Sequence, residues 1–183
     1  MKALVYHGPG KKSLDERPLP TLVSSTDAIV RVTRTTICGT DLHILKGDVP
    51  SCEAGRVLGH EGVGVIEQTG AAVAALEPGD NVLISCISPC GECEACRRGM
   101  YSDCSTGGRI LGNRIDGTQV EYARILHAET WSLCSRTNPA NKAIEHAAFE
   151  ARQKDVQSQS WEEDRSASPC SPRSSMRQRK SSP

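Results

Sequence analysis

The chain has 183 residues, with 22 Lys+Arg against 22 Asp+Glu, so no net charge draws it to nucleic acid or to an anionic membrane surface. It carries nine cysteines, yet its start lacks the apolar run of a secretory signal, and no stretch approaches the roughly 18 uninterrupted apolar residues of a membrane-spanning helix. The thiols therefore point to metal binding in a reducing cytoplasm.

In chain order, residues 2–7 open with polar and apolar side chains alternating, and 27–37 is a long β-branched run containing Val30, Val32 and Ile37. Each predicts a strand. The segment GPGKKS at 8–13 lacks the spacing of a phosphate loop and reads as the turn between the first two strands. Residues 40–46 are the one helical stretch before the cysteine-rich region. Residues 59–70, 81–86 and 119–126 are further strand candidates, the second of them following a Pro78-Gly79-Asp80 turn. Strands of this number, punctuated by Gly and Pro, predict a mainly β, barrel-type domain with short helices over about residues 1–128.

Beyond that the composition changes. Residues 1–130 hold 31 of the 34 Ile, Leu and Val residues and all 16 glycines, whereas the last 53 residues hold only Leu133, Ile144 and Val156 together with 11 serines. So little apolar surface cannot offset the entropy of ordering. Residues 129–183 are thus expected to form a tail, with a lone helix over 139–155, where Asn138 and Pro139 resemble an N-cap and first helical residue, and disorder elsewhere. The basic run at 176–180 is short and reads as solvated tail, not a nucleic-acid patch.

The strongest chemical signal is Cys90, Cys93, Cys96 and Cys104, spaced C-x2-C-x2-C-x7-C. Four thiolates in a lobe over about 86–105 can close a tetrahedron around Zn²⁺, with Gly91 and Gly99 relieving backbone strain, and leave no open coordination position, so such an ion would be structural. An iron–sulfur cluster is the competing occupant. Bacterial ferredoxins share the first two gaps but continue with x3-C-P, and here Ser105 follows Cys104. A second constellation is CGTDLH at 38–43 with GHEGVG at 59–64, where Cys38 and His60 could converge on another ion. Cys52, Cys86, Cys134 and Cys170 have no motif partners.

Taken together, Gly59, His60, Glu61, Gly64, Gly70 and Val73 form GHE-x2-G-x5-G-x2-V, and with the lobe cysteines they resemble the zinc-dependent medium-chain alcohol dehydrogenase family over residues 1 to about 128. The resemblance implies a GroES-like catalytic domain. It further implies that Cys38 and His60 bind catalytic zinc, that Glu61 is an occasional alternative ligand, and that Asp41 orients His60. Thr40 would accept the alcohol proton and His43 would pass it toward solvent. The implied reaction is NAD- or NADP-dependent oxidation of a small alcohol to an aldehyde or ketone, with zinc as Lewis acid.

The family's third protein ligand to catalytic zinc lies beyond the matching stretch. No G-x-G-x-x-G occurs, and the tail is too short for a dinucleotide-binding fold. No cofactor-binding residue can be assigned. The expectation is the catalytic half of such an enzyme, inactive by itself, as a truncated or frame-shifted product or, alternatively, as a natural small protein with a regulatory tail. A non-enzymatic zinc-binding or interaction module and an iron–sulfur carrier stand as alternatives.

Overall fold

A computed structural model describes residues 1–135. Eight strands and two short helices follow in the order β1 (Lys2–Tyr6), β2 (Lys12–Glu16), β3 (Ala28–Thr35), α1 (Gly39–Lys46), β4 (Arg56–Val57), β5 (Gly62–Thr69), β6 (Asn81–Ile84), α2 (Glu94–Arg97), β7 (Tyr122–Ile125) and β8 (Leu133–Ser135). The mainly β expectation holds. The strands form a three-stranded sheet, β2-β1-β4, and a five-stranded sheet, β7-β3-β5-β6-β8, with every pair antiparallel. An Ala3–Val120 bridge and a bond from the Leu4 amide to the Gln119 carbonyl (2.9 Å) join them, without closing a continuous barrel.

Inward-facing aliphatic residues of the larger sheet, among them Val30, Ile66, Val82, Ile84 and Ile125, meet Leu111 and Leu133 in the main core. A second cluster, Tyr6, Ile44, Cys52 and Leu58, lies under α1. Ile44 is 1% exposed, and its burial stabilises the helix seat by about 2–3 kcal/mol. That seat matters because α1 begins at Cys38. The helix stops at Gly47, in the left-handed conformation, whose N–H reaches the His43 and Ile44 carbonyls.

The turn expected at 8–13 connects β1 to β2, a strand that the pattern did not suggest: Lys-Ser-Leu-Asp-Glu has one apolar residue, Leu14, and it is 66% exposed. β2 is held by its ladder to β1, not by burial. Past residue 128 the described chain makes a wide turn over Ala128–Ser132 and adds β8 to the edge of β6. Residues 129–135, expected to be disordered tail, are instead ordered, because Leu133 is buried in the main core and β8 pairs with β6; the expected helix at 139–155 and the disorder expected over the remaining tail lie outside the described residues. No helix among the described residues is long and apolar enough to cross a membrane.

Candidate metal centres

The lobe folds around its sulfurs. Cys93 caps α2, its sulfur accepting the Cys96 amide, and Gly91 takes a positive φ of 82° that turns the chain between Cys90 and Cys93. All four cysteine sulfurs lie within 4.8 Å of one another. Cys90 and Cys96 are 4.0 Å apart, as are Cys93 and Cys104. Thiolates sharing one Zn²⁺ at about 2.3 Å would stand about 3.8 Å apart at tetrahedral angles, so the donor set fits a single ion. In a four-iron cluster each thiolate would end on a different iron, and in a two-iron cluster the thiolates would divide between two irons; either spreads the sulfurs further than this.

Backbone amides aim at these sulfurs: Cys90 N at Cys104 Sγ (3.2 Å), Cys93 N at Cys90 Sγ (3.4 Å) and Cys96 N at Cys93 Sγ (3.5 Å). Such donors favour thiolate over thiol. The amides of Cys96 and Ser105 hold the Cys93 thiol down to about 6. Burial pushes Cys104 upward, but the amides of Cys90 and Thr106 and the Thr106 hydroxyl draw it to about 7. Cys96 is pushed up to about 12 by burial and by its thiol neighbours. The amides, with the Thr106 hydroxyl, thus favour thiolate at Cys93 and Cys104, and a cation bound among the sulfurs would let Cys96 ionise as well.

The second constellation also converges. Cys38 is the N-cap of α1, its sulfur accepting the Thr40 amide at 3.3 Å. Cys38 Sγ lies 3.3 Å from His60 Nε2, close to the roughly 3.6 Å expected for a thiolate and an imidazole sharing a tetrahedral zinc. A carboxylate oxygen of Asp41 lies within 4.8 Å of both. Asp41 is 2% exposed, and its two oxygens take the Cys38 amide (2.9 Å) and the Gly59 amide (3.1 Å). It thereby ties the backbone beside one candidate ligand to the backbone beside the other. Glu61 Oε1 stands 3.9 Å from His60 Nε2, on a half-exposed side chain.

Thr40 and His43 lie on the exposed side of α1. His43 Nδ1 pairs with Asp48 Oδ2 at 2.9 Å. Cys86, without a motif partner in the sequence, is raised in pKa by desolvation and then by the charges of Glu61 and Cys38, with Arg109 opposing. Cys52 is a buried thiol beneath α1, and burial raises its pKa.

Sequence reasoning missed the segment that braces this site. Gly59, at φ +92°, leaves no room for a side chain, because a Cβ there would come within 2.6 Å of Gln119 Cγ and 2.9 Å of Thr118 Oγ1. Residues 117–119 hydrogen-bond along 57–59. Only a glycine among polar residues hinted at this contact.

A family model described as the alcohol dehydrogenase GroES-like domain matches residues 24–135. The chain is 39% identical over 129 residues to zinc-type alcohol dehydrogenase B of Aspergillus flavus, covering 70% of this chain and 30% of that protein. It is 40% identical over 145 residues to an alcohol dehydrogenase of Cupriavidus necator, covering 70% and 39%. Zinc dependent alcohol dehydrogenase 2 from Streptococcus pneumonia, solved in its apo form, is 48% identical with a TM-score of 0.70, over 74% of this chain and 38% of that one. The chain therefore spans between a third and two fifths of these proteins, less than a third in the Aspergillus case. The family model spans more than half of the chain and the solved structure matches it in sequence and fold, and on that ground the chain belongs to the zinc-type alcohol dehydrogenase family, of which it contains the N-terminal, GroES-like part.

Proposed function

We propose that this chain is the metal-binding catalytic portion of an NAD(P)-dependent alcohol dehydrogenase acting on small alcohols or aldehydes. The observation that carries the reading is the approach of Cys38 Sγ to His60 Nε2, 3.3 Å apart, with the Asp41 carboxylate within 4.8 Å of both. Cys38 and His60 would hold one zinc, with Glu61 near enough to exchange onto it. Cys90, Cys93, Cys96 and Cys104 would hold a second, whose role is structural because four thiolates fill its coordination sphere. The mutual closeness of the lobe sulfurs supports a single ion there over an iron–sulfur cluster.

When bound at the first site, zinc supplies Lewis acidity that makes an alcohol easier to deprotonate. The residues around it then have separable tasks. Cys38 caps the N-terminus of α1, and the Thr40 amide donates to its sulfur, which fixes where that sulfur stands. Asp41 fixes the distance between the two ligand-bearing segments through its two amide contacts. The Thr40 hydroxyl is on the solvent side of the same turn and is the proposed first acceptor of the alcohol proton. The His43 imidazole, oriented by Asp48, is the proposed next carrier toward water.

The reading is tested by metal content. Purified chain loaded with zinc should hold two ions, and Cys38→Ser should hold one. If Cys38→Ser keeps two ions at unchanged affinity, the first site is not built on Cys38. A single ion in the unsubstituted chain, lost on substitution of Cys96, leaves the non-enzymatic zinc module as the better description.

A further inference from the structure

We infer that Thr118 is a positioning residue for the metal site, acting through the carbonyl of Glu61; the inference rests on the reading that Cys38 and His60 share an ion. Thr118 is fully buried. Its hydroxyl lies 3.2 Å from the Glu61 carbonyl and 3.0 Å from the hydroxyl of Thr35, which itself donates to that carbonyl at 2.8 Å. The Thr36 amide completes the set at 3.3 Å. Three donor groups from two distant segments therefore lie within hydrogen-bond reach of one acceptor, the carbonyl one residue beyond His60.

The geometry is that of a clasp. Thr35 and Thr36 lead into Cys38, and Glu61 follows His60, so the shared carbonyl joins the chain just before one candidate ligand to the chain just after the other. Thr118 holds the same stretch a second time, its amide donating to the Gly59 carbonyl at 2.9 Å. His60 is thus bracketed by backbone contacts on both sides. The Cβ and Cγ2 of Thr118 occupy the space beside Gly62 where a side chain would otherwise stand, the closest approach to an ideal Cβ there being 3.2 Å. The methyl fills and the hydroxyl ties, which is why threonine suits the position and serine or valine would each supply one half.

The three contacts of the triangle share two hydroxyl protons. Either both hydroxyls donate to the carbonyl, or one donates to the carbonyl and the other to its neighbouring hydroxyl. Removing the Thr118 hydroxyl leaves the carbonyl with Thr35 and the Thr36 amide, so the fold has substitutes. What is lost is the cross-brace that fixes the Glu61–Gly62 peptide, directly after His60. Groups outside the ligand shell that orient ligands change metal affinity by about 10- to 100-fold, and an effect through one backbone carbonyl belongs at the low end.

The test is Co²⁺ binding to the full 183-residue chain, followed by absorbance, since a four-thiolate lobe and a site with one thiolate impose different ligand fields and are read separately. Thr118→Val should lower Co²⁺ affinity at the Cys38–His60 site by about ten-fold and alter its d–d bands, with lobe bands and lobe affinity unchanged. Thr118→Ser should restore the wild-type spectrum. Should Thr118→Val fold poorly, Thr35→Val, at an exposed position on the same carbonyl, should shift the same bands in the same direction. Wild-type bands and affinities in both valine variants would overturn the inference. So would equal loosening of both sites without rescue by serine, which marks a general packing role. If the wild-type chain shows no second Co²⁺ site sensitive to Cys38→Ser, the metal reading and this inference fail together.

Discussion

The backbone amide of Cys90 points at the sulfur of Cys104 from 3.2 Å, fourteen residues away in sequence. That contact closes the lobe, because it makes the fourth ligand of the C-x2-C-x2-C-x7-C series part of the turn that carries the first. The remaining amides to Cys90 and Cys93 come from residues three positions ahead, within the same local turns. The local turns thus prepare three sulfurs, and the Cys90–Cys104 contact sets the fourth.

Replacing Cys96 by serine tests whether the lobe depends on its ion. Cys96 is 5% exposed, and among the described residues the lobe's set of convergent metal-ligating side chains consists of these four cysteines, with no fifth member. The variant should lose about one zinc per chain, and residues 87–105 should become sensitive to protease. Part of the roughly 10–16 kcal/mol that structural zinc contributes in small thiolate sites is then gone. Unchanged zinc content and unchanged protease resistance would refute the four-cysteine assignment.

The pH response of zinc-stripped chain follows from the thiols. Cys93 at about 6 and Cys104 at about 7 are both below the ordinary 9.0. Depressed groups contribute stability that is present above the ordinary value and is lost as pH falls through 7 and then 6. Cys96, raised to about 12, works the other way: its contribution is present below 9.0 and is lost as pH rises toward 12. Hydrogen exchange across residues 87–105 of the stripped chain should therefore show greatest protection, after correction for intrinsic exchange rates, near pH 9, falling on both sides. A profile that is flat between pH 6 and 9 would contradict the amide-stabilised thiolates.

How much of this was legible in the sequence depends on where the determinants lie. The lobe was, because its four ligands fall within fifteen residues and thiol spacing is itself the chemistry. β3, β5, β6 and β7 were, because Val and Ile mark them in the sequence. α2 was not, being a four-residue turn whose reason is the Cys93 cap. The clasp was not either. Thr118 sits 57 residues from Glu61 and 83 from Thr35, and in Gly-Thr-Gln nothing distinguishes a buried brace from an exposed turn until the sheets are assembled.

Asp41→Asn separates the two amide contacts from the negative charge that strengthens them. Hydrogen bonds to a charged acceptor are worth about 1.5–3 kcal/mol each, against about 0.5–1.5 for neutral ones. The buried amide of asparagine also has one oxygen and an NH₂ that would face a donor, the Cys38 or the Gly59 N–H. The variant should lose about 2–3 kcal/mol of stability in denaturant unfolding, and metal should leave the Cys38–His60 site first, with the lobe ion retained. A midpoint within experimental error of wild type, with both ions bound as before, would mean that Asp41 is not the tie between the two segments.

Catalysis is where the arrangement demands most beyond the residues described. With Cys38 and His60 as its proposed fixed ligands and Glu61 only exchanging onto it, the first site offers two standing protein ligands where a catalytic zinc normally has three plus water. A mild chelator should remove its ion before the lobe ion. Hydride transfer further needs a nicotinamide held against the reacting carbon, and about 7–11 kcal/mol of barrier reduction can come from such positioning. The sequence has no G-x-G-x-x-G to grip the pyrophosphate. The purified 183-residue chain, zinc-loaded and given a panel of small alcohols with NAD⁺ or NADP⁺, should therefore produce no measurable alcohol-dependent NAD(P)H, even with Thr40 and His43 intact. Robust turnover abolished by Cys38→Ala would reverse this conclusion and require that the chain, alone or paired with a second copy, assembles its own cofactor seat.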